Sequence, residues 1–289
     1  MRAGARSAGV LTPSRWRAMV RKDWDRGAAG WERFEPQFMY SLSSVDPSLV
    51  RALAPARGHR VLDVGCGSGE PTLLVAQLVA PGPVLGLDVS REMLAVARRR
   101  AKSRGVTNVR FRIGDAARLE TRRRFDRVVS RYGIMFVTDV PETLARIHAT
   151  LRRGGRAAFA VWGPAERNPF FRVRAEAARP FLEQPPPDPE RAPNPLRLAR
   201  PGLLARLMRG AGFRHVKAEG VNAPFTYAGV DEYLEMNLGV PSPLRDVHDA
   251  LSRRDQMRLR DRLARGMRPF QDGPLIRAPG FAWVVSGSR

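Results

Sequence analysis

Three aspartates follow three consecutive apolar segments of the sequence, and each is a candidate for ligand binding. Asp63 lies in RVLDVGCGSGE just before Gly65, Asp88 ends the run in PVLGLDVS, and Asp115 ends that in NVRFRIGDA. Each apolar segment is typical of a β-strand. Open α/β sheets bind ligands at the carboxyl ends of their strands. The pattern therefore predicts one ligand site formed where three neighbouring strands end.

A glycine-rich turn follows the first of these segments and precedes a helix. Gly65, Gly67 and Gly69 separate the apolar run from PTLLVAQLVA, a segment of helical composition. Glycine permits positive φ and lets a ligand approach the backbone closely, and the unpaired N–H groups of a helix start face the same point. The turn therefore predicts a ligand-binding loop between a strand and a helix.

The ligand inferred for this loop is a cation and not a dinucleotide. A dinucleotide fingerprint reads G-x-G-x-x-G, but Glu70 stands at the position of its third glycine. Asp63 and Glu70 would repel a pyrophosphate and attract a positive charge. Asp88, 23 residues after Gly65, stands where an acid can accept both hydroxyls of a ribose. A nucleoside joined to a cationic amino acid fits this set of acids.

Five motifs, taken in order along the chain, resemble those of the class I S-adenosylmethionine-dependent methyltransferases. They are DVGCGSG, LDVS, GDA, FDRVVSRYGIMF and LRRGGRAAFAVW. Within that class the sequence is most similar to the ubiquinone- and menaquinone-biosynthesis type of small-molecule methyltransferase. The likeness covers residues 23–215 and the last strand. It implies S-adenosyl-L-methionine as the cofactor and S-adenosyl-L-homocysteine as the product.

The resemblance assigns a part of the cofactor to each motif. The glycine loop with Asp63 would hold the methionine end, Asp88 the ribose, and Asp115 the adenine, although Asp115 could equally be only a helix cap. Met93 would touch the adenine, with core packing as an equal alternative, and Cys66 is expected to pack in the turn. The implied cofactor set is Asp63, Gly65, Cys66, Gly67, Gly69, Asp88, Val89, Met93, Gly114, Asp115, Ala116, Ser130 and Arg131.

The acceptor site is predicted beyond the fourth strand, where the resemblance places Ser130, Arg131 and Tyr132 on the reactive face of the cofactor. The segment DWDRGAAGWERFEPQFMYSL is predicted to form a helical lid, because its rings recur at helical spacing. The same rings could instead simply pack the helix on the core. The candidate acceptor-site residues are Trp31, Phe38, Tyr40, Tyr132, Met135, Trp162, Asn168 and Phe171.

Length and composition predict one elaborated α/β domain. The chain has 289 residues and is 43% hydrophobic, enough for one large core. We expect a Rossmann-like fold with a seven-stranded, mostly parallel sheet, helices on both faces, an antiparallel last strand and a helical cap. The expected parts are a basic mobile tail at 1–22 and a methyltransferase domain at 23–289, made of a helical lid at 23–58, a core at 59–228 with a proline-rich flap at 183–201, a helical substrate cap at 229–275, and the last strand at 276–289.

The formal charge of +22 raises the alternative of a nucleic-acid substrate. Only three of the 50 basic residues are lysine, however, and the arginines are spread over many segments. That choice is as typical of a GC-rich genome as of a phosphate-binding surface. A small-molecule acceptor such as a quinol or phenol is therefore favoured over RNA or DNA, and a non-catalytic cofactor-binding protein is the other alternative.

The mechanism implied is direct SN2 transfer of a methyl group to an O, N or C nucleophile, with alignment as the main contribution of the protein. The four histidines read as surface or packing positions, so no general base is named, and no metal-ligand cluster is present in the sequence. One cysteine excludes an internal disulfide, and no apolar run approaches the ~20 residues of a membrane span. A cytoplasmic monomer or homodimer is expected.

Overall fold

The computed structural model describes residues 11–120, 124–182 and 192–289, and ten strands lie within them. Seven form one sheet in the order β3-β2-β1-β4-β5-β10-β6, and three form a small sheet in the order β7-β9-β8. The strands are β1 (Val61–Val64), β2 (Val84–Asp88), β3 (Val109–Ile113), β4 (Phe125–Arg131), β5 (Leu151–Trp162), β6 (Arg214–Asn222), β7 (Phe225–Tyr227), β8 (Gln271–Asp272), β9 (Leu275–Ala278) and β10 (Phe281–Ser288).

Strands β1 to β5 pair in parallel, and β10 is antiparallel to both of its neighbours, β5 and β6. This arrangement confirms the predicted Rossmann-like sheet with its antiparallel last strand. Eleven α-helices accompany the strands of the described residues. They are α1 (Pro13–Arg33), α2 (Glu35–Leu42), α3 (Asp46–Leu53), α4 (Thr72–Val79), α5 (Arg91–Ser103), α6 (Val140–Thr150), α7 (Pro169–Ala178), α8 (Leu203–Gly210), α9 (Val230–Gly239), α10 (Pro243–Ala250) and α11 (Arg253–Met267).

Two apolar layers cover the faces of the large sheet, as expected for parallel strands with near-continuous hydrophobic runs. All four residues of β1 are buried. Val61 packs in the layer that contains Leu49 of α3, and Leu62 packs in the opposite layer with Leu144 of α6. The sheet is thus covered on both sides, and its functional side chains gather where the parallel strands end.

The predicted basic tail at 1–22 is wrong over its second half, because α1 begins at Pro13. The hydroxyl oxygen of Thr12 accepts a hydrogen bond from the amide of Arg15 and caps the helix. Trp16 and Val20 are buried one helical turn apart, so this segment packs on the protein. Residues 1–10 lie outside the described residues. Among those residues, no helix combines the length and apolar composition needed to cross a membrane.

The predicted lid at 23–58 consists of parts with different roles. The helix breaks at Phe34, which has φ −99° and ψ 21°, so the lid is formed by α1 and α2 in succession. Helix α3 instead packs beneath the large sheet, with Leu49 and Leu53 almost fully buried. Only residues up to Leu42 therefore lie where a lid could cover the site.

The predicted cap at 229–275 contains three helices, α9 to α11, and the small sheet was not predicted. The apolar stripe of α11 is buried as expected from its spacing of four, at Leu259, Leu263 and Met267. The predicted last strand at 276–289 is divided, because its first residues pair with β7 in the small sheet. The chain turns at Gly280, where a Cβ would lie 1.9 Å from the carbonyl oxygen of Ala223.

The proline-rich flap predicted at 183–201 falls partly on residues 183–191, which lie outside the described residues. The remainder does not behave as an exposed flap. Leu198 and Ala199 are buried, and the indole nitrogen of Trp283 in β10 donates to the carbonyl of Ala199 at 3.1 Å. Residues 192–201 therefore pack against the last strand of the large sheet.

Candidate functional site

Backbone geometry at the end of β1 requires the glycines of the loop. Gly65, Gly67 and Gly69 have φ of 69°, 51° and 102°, values that L side chains rarely adopt. A Cβ added to Gly65 would also lie 3.0 Å from the Cα of Gly133, which follows β4. The amide of Gly65 donates to the carbonyl of Leu87 in β2 at 2.8 Å. The loop is therefore held between the ends of β2 and β4.

Asp88 connects this loop to the start of α5. Its Oδ2 accepts a hydrogen bond from the Gly67 amide at 2.8 Å, and its Oδ1 accepts one from the Ser90 amide at 2.9 Å. Burial raises the pKa of the Asp88 carboxyl, and these two hydrogen bonds oppose that rise. Each carboxylate oxygen keeps a further lone pair. Asp88 can therefore position the loop and still accept the hydroxyls of a ribose.

Asp63 is a fully buried acid with one unpartnered oxygen. Its Oδ2 accepts a hydrogen bond from the Thr72 hydroxyl at 2.5 Å, and its Oδ1 has no partner among the described residues. Burial, as the largest cause, raises the pKa of Asp63 to about 7. A buried carboxylate is costly unless a cation or a donor compensates it. This oxygen therefore fits the ammonium of a cationic amino acid.

Asp115 combines a helix cap with a carboxylate oxygen that has no hydrogen-bond partner among the described residues, so the two alternatives for this residue are compatible. Its Oδ1 accepts from the amide of Ala117 at 2.9 Å and caps a short 3-10 turn. Its Oδ2 is buried without a hydrogen-bond partner, and the Nε of Arg17 in α1 lies 3.7 Å away. One oxygen is structural, and the other remains able to accept from a ligand.

Glu70 does not contribute a free negative charge to the site, so that part of the prediction is wrong. Its carboxylate pairs with Arg104, which caps the end of α5, and, at 3.3 Å, with Arg100 on α5. Arg100 also contacts Glu35 of α2 at 2.6 Å. These ion pairs compensate the charge of Glu70. The electrostatic attraction for a cation therefore rests mainly on Asp63 and Asp88.

The other cofactor candidates around the loop are packing or flanking positions. Cys66 is buried, with its Sγ 2.9 Å from where a Cβ on Gly86 would lie, and burial raises the pKa of its thiol. Met93 is 3% exposed, and its Cε lies beneath Gly67. The amide of Gly114 donates to the carbonyl of Asp88 at 2.9 Å. Val89 is partly exposed at the end of β2, and Ala116 is buried beside Asp115.

Ser130 and Arg131 end β4 but differ in what they can offer a ligand. The hydroxyl of Ser130 is buried and has no partner among the described residues. Arg131, by contrast, contacts both carboxylate oxygens of Asp46 at 2.8 and 3.0 Å and is almost fully buried. Its guanidinium fixes the start of α3 to the sheet. The structure therefore gives Arg131 a structural ion pair where the sequence predicts a cofactor contact.

An aromatic row begins directly after β4. Tyr132 has φ 57°, unusual for a residue other than glycine, and its ring stacks on that of Trp162 at 4.2 Å and 18°. Phe171 meets Trp162 edge-on at 5.3 Å. The hydroxyl of Tyr132 is buried without a partner among the described residues, and burial raises its pKa. Strained backbone and an unpartnered hydroxyl are typical of functional positions.

A second pair of rings belongs to the lid. Trp31 of α1 lies 4.2 Å from Phe38 of α2, and the indole nitrogen of Trp31 is buried without a partner among the described residues. Trp24 packs against both Trp31 and Phe136, which follows β4. The lid thus extends the aromatic surface across the carboxyl end of the sheet.

Two of the predicted acceptor-site residues are not available to a ligand. Tyr40 is 71% exposed, so it lies on the outer surface of α2. Asn168 is fully buried, and its amide bonds to the backbone of Gly163, Pro164 and Phe281. This amide joins the ends of β5 and β10, so its role is structural. Met135 is fully buried in the core beside the aromatic row.

The structure also assigns to the site two residues of α1 that the sequence reasoning missed. Asp25 accepts a hydrogen bond from the Ser90 hydroxyl at 2.7 Å, and Arg17 approaches Asp115. The indole nitrogen of Trp16 donates to the carbonyl of Phe136 at 2.8 Å. Helix α1 therefore lies against the predicted ribose and adenine sites. Trp16 and Trp24 are eight residues apart in the sequence, and this helical spacing was the signal that the helix starts before residue 23.

Fold and site together define a class of protein in which a glycine loop follows the first strand of a Rossmann-like sheet and acids stand at the ends of neighbouring strands. A solved structure, YcgJ from Bacillus subtilis, matches with a TM-score of 0.56 at 20% identity, over 85% of this chain and 97% of that one. Phosphoethanolamine N-methyltransferase 2 from Haemonchus contortus, in complex with S-adenosyl-L-methionine, matches with a TM-score of 0.58 at 18% identity, over 97% and 60%. At these identities the likeness shows the fold alone.

Sequence comparisons identify the family. The methyltransferase-domain family Methyltransf_31 matches residues 55–175. Aklanonic acid methyltransferase DauC from a Streptomyces species is 32% identical over 177 residues, 60% of this chain and 73% of the relative. Demethylmenaquinone methyltransferase from Symbiobacterium thermophilum is 39% identical over 102 residues, 34% of this chain. Trans-aconitate 2-methyltransferase from Deinococcus radiodurans is 39% identical over 113 residues, 39% of this chain.

The chain belongs to the class I S-adenosylmethionine-dependent methyltransferases, and S-adenosyl-L-methionine is its cofactor. The match covers 41% and 42% of the lengths of the demethylmenaquinone and trans-aconitate enzymes. These two matches therefore span less than half of each relative.

Proposed function

We propose that this protein transfers the methyl group of S-adenosyl-L-methionine to an O, N or C nucleophile of a planar small molecule, such as a quinol, a phenol or another secondary metabolite. The observation that carries the proposal is the stacked pair of Tyr132 and Trp162 directly beyond the glycine loop. Gly133, next to Tyr132, touches Gly65 of that loop. A planar acceptor on these rings would lie beside the methionine end of the cofactor.

The residues of the cofactor half fit the group they are proposed to hold. Asp63 with the loop would bind the methionine end, Asp88 the ribose, and Asp115 with Ala116 the adenine. One oxygen of Asp63 and one of Asp115 have no hydrogen-bond partner among the described residues, which supports this assignment, since both are buried acceptors that a ligand donor would satisfy. The sulfonium supplies an electrophilic methyl group, so the protein has chiefly to align the acceptor with it.

The positions of the histidines agree with a mechanism in which the protein aligns the acceptor with the methyl group and does not supply a general acid or base. His148 packs edge-on against Phe213, and His59 accepts a hydrogen bond from the amide of Ala56. His248 lies beside Asp249 on α10. A phenol or quinol needs little help to lose its proton, and the Tyr132 hydroxyl could bind the acceptor oxygen. We therefore assign positioning to the aromatic row and no general base.

The relatives support a small-molecule acceptor, since their names give aklanonic acid, demethylmenaquinone and trans-aconitate as substrates of those proteins. The nucleic-acid alternative rests on charge alone. Location in the cytoplasm and a monomeric or homodimeric state remain predictions from the sequence.

Methyl-labelled cofactor tests the proposal. The purified protein is incubated with labelled S-adenosyl-L-methionine and, in separate reactions, with fractionated small-molecule extract and with total RNA. We expect label in an organic-soluble small molecule, and loss of that label in Trp162→Ala. The matched control is Trp283→Ala, because Trp283 packs on the far side of β10 against Ala199. Label in RNA alone, or cofactor binding without transfer to any small molecule, would refute the proposal.

A further inference from the structure

Arg174 of α7 is a cation for which the described residues supply no anion. Its Nη1 donates to Oδ1 of Asn237 on α9 at 3.0 Å. Within residues 11–120, 124–182 and 192–289, no carboxylate lies within ion-pairing distance of this guanidinium. Burial lowers the pKa of Arg174, and the ionisable groups that face it are the phenols of Tyr233 and Tyr227. The side chain is nevertheless only partly covered, so a ligand can reach it.

Arg100 and Arg131, which are almost fully buried, differ from the partly covered Arg174 in having acidic partners. Arg100 contacts Glu35 at 2.6 Å, and Arg131 contacts Asp46 at 2.8 Å. A guanidinium withdrawn from water is costly unless an anion compensates its charge. The neutral amide of Asn237 accepts a hydrogen bond from one of the five N–H donors of Arg174, but it does not compensate the positive charge. An anion from outside the chain would compensate this positive charge.

The position of Arg174 connects it to the proposed acceptor site. Its guanidinium carbon lies 4.7 Å from the centroid of the Phe171 ring. Phe171 meets Trp162 at 5.3 Å, and Trp162 stacks on Tyr132 at 4.2 Å. The cation therefore stands at the end of the aromatic row that is remote from the cofactor loop. A planar molecule lying along the row would meet the cofactor at one end and Arg174 at the other.

We propose that Arg174 binds a carboxylate of the methyl acceptor, which is thus an acidic planar molecule. This inference rests on the proposed function. The planar guanidinium pairs with a carboxylate through two parallel hydrogen bonds and so fixes orientation as well as position. Because Phe171 and Trp162 separate Arg174 from Tyr132, the bound carboxylate is an anchor, and a different group of the same molecule is methylated.

The reaction that follows from this arrangement balances without a further reagent. The second group, a hydroxyl or an acidic carbon, forms a bond to the methyl carbon. The carbon–sulfur bond breaks with its electron pair left on sulfur, and the proton of the acceptor passes to water. The carboxylate held by Arg174 is unchanged, so the product keeps its anionic anchor and has the same overall shape.

A pair of probes that differ only in the carboxylate tests the inference. We use 3-hydroxy-2-naphthoate and 2-naphthol, and measure their binding by calorimetry to protein saturated with S-adenosyl-L-homocysteine. The variant is Arg174→Met, which keeps an unbranched apolar stem and removes the guanidinium with its charge. The matched control is Arg172→Met on the same helix, because Arg172 is exposed and pairs with Glu176 one turn away.

We expect the wild-type protein to bind the naphthoate at least about 10-fold more tightly than the naphthol, since a charge-assisted pair is worth that much or more. Arg174→Met should remove this preference, weakening the naphthoate about 10- to 100-fold and leaving the naphthol unchanged. Arg174→Lys should restore part of it. The melting temperature of Arg174→Met should fall only slightly, because the hydrogen bond to Asn237 is lost but no ion pair within the described residues is broken. Arg172→Met should bind both probes normally.

Three results would overturn the inference, and they differ from a failure of the proposed function. Equal affinity of the wild-type protein for the two probes would show that no anion site exists. Equal weakening of both probes in Arg174→Met would show that the residue is merely structural. If neither probe binds while S-adenosyl-L-homocysteine does, the aromatic acceptor site itself is wrong, and the inference fails with it.

Discussion

The buried carboxyl of Asp63 makes a prediction about how stability and cofactor affinity depend on pH. Its pKa of about 7 in the folded protein lies above the ordinary value of 3.8. The folded state therefore binds the proton more tightly than the unfolded state does. As pH rises from about 4 to 7, this difference lowers the free energy of unfolding, and above pH 7 the loss is complete.

The size of the effect follows from the shift. One pKa unit corresponds to 1.36 kcal/mol, so the full penalty approaches about 4 kcal/mol, of which about 2–3 kcal/mol is lost between pH 5 and pH 8. The substitution Asp63→Asn removes the ionisation and keeps the shape. Without cofactor, the variant should therefore have a larger free energy of unfolding than the wild type, by a margin that grows by about 2–3 kcal/mol from pH 5 to pH 8.

Cofactor affinity should depend on pH in the opposite sense to stability, rising as the pH rises. The ionised Asp63 is proposed to pair with the ammonium of the methionine end, so the affinity of the wild type for S-adenosyl-L-homocysteine should rise up to about tenfold per pH unit below pH 7 and level off above it. Asp63→Asn should bind more weakly at pH 7.5, by about 10- to 100-fold, and without this pH dependence.

Chemical denaturation at pH 5 to 8 and calorimetry at pH 5.5 to 7.5 measure the two effects. Asp139→Asn is the control, because Asp139 caps α6 and asparagine caps a helix equally well. If Asp63→Asn kept the affinity and pH dependence of the wild type, the carboxylate would not touch the cofactor. If its stability relative to the wild type did not grow with pH, the buried-acid argument would be refuted.

Three further predictions concern the loop, the ion pair of β4 and the aromatic row. Gly65→Ala should abolish cofactor binding, whereas Gly105→Ala, at a similar φ of 64° but in open space, should cost only about 1–2 kcal/mol of stability. Arg131→Met should leave Asp46 buried without its cation and lower the melting temperature by about 5 °C, unless Asp46→Leu is added. Tyr132→Phe should raise the melting temperature slightly, since it removes an unpartnered buried hydroxyl, yet slow methyl transfer; unchanged transfer would exclude that hydroxyl from the acceptor site.

The cofactor half could be predicted from the sequence because its signals are local. A glycine that needs positive φ, or an acid directly after an apolar run, is visible within about ten residues of chain. Gly65, Asp63 and Asp88 follow such signals, and the structure brings them together. The parallel order of the strands follows from the same alternation of strand and helix.

The errors concern residues whose partners are distant in the chain. Glu70 reads as a free acid, but Arg100 of α5 and Arg104, at the end of that helix, pair with it. Asn168 reads as a polar group on the rim, but the backbone of Phe281, more than a hundred residues later, occupies its amide. A charge or an amide shows its availability only when the tertiary neighbours are known.

Tertiary neighbours also weaken the case that the charge of +22 marks a nucleic-acid surface. Several arginines connect the lid to the helices around it: Arg99 of α5 pairs with Glu32, Arg33 with Glu235 of α9, and Arg26 with Asp246 of α10. These pairs are exposed, and each contributes at most about 1 kcal/mol. Their arginines are nevertheless held against carboxylates of the same chain, which a phosphate would have to displace. For Arg174 the described residues supply no such carboxylate, so its surroundings point to an external anion, and its neighbours are rings of the proposed acceptor site.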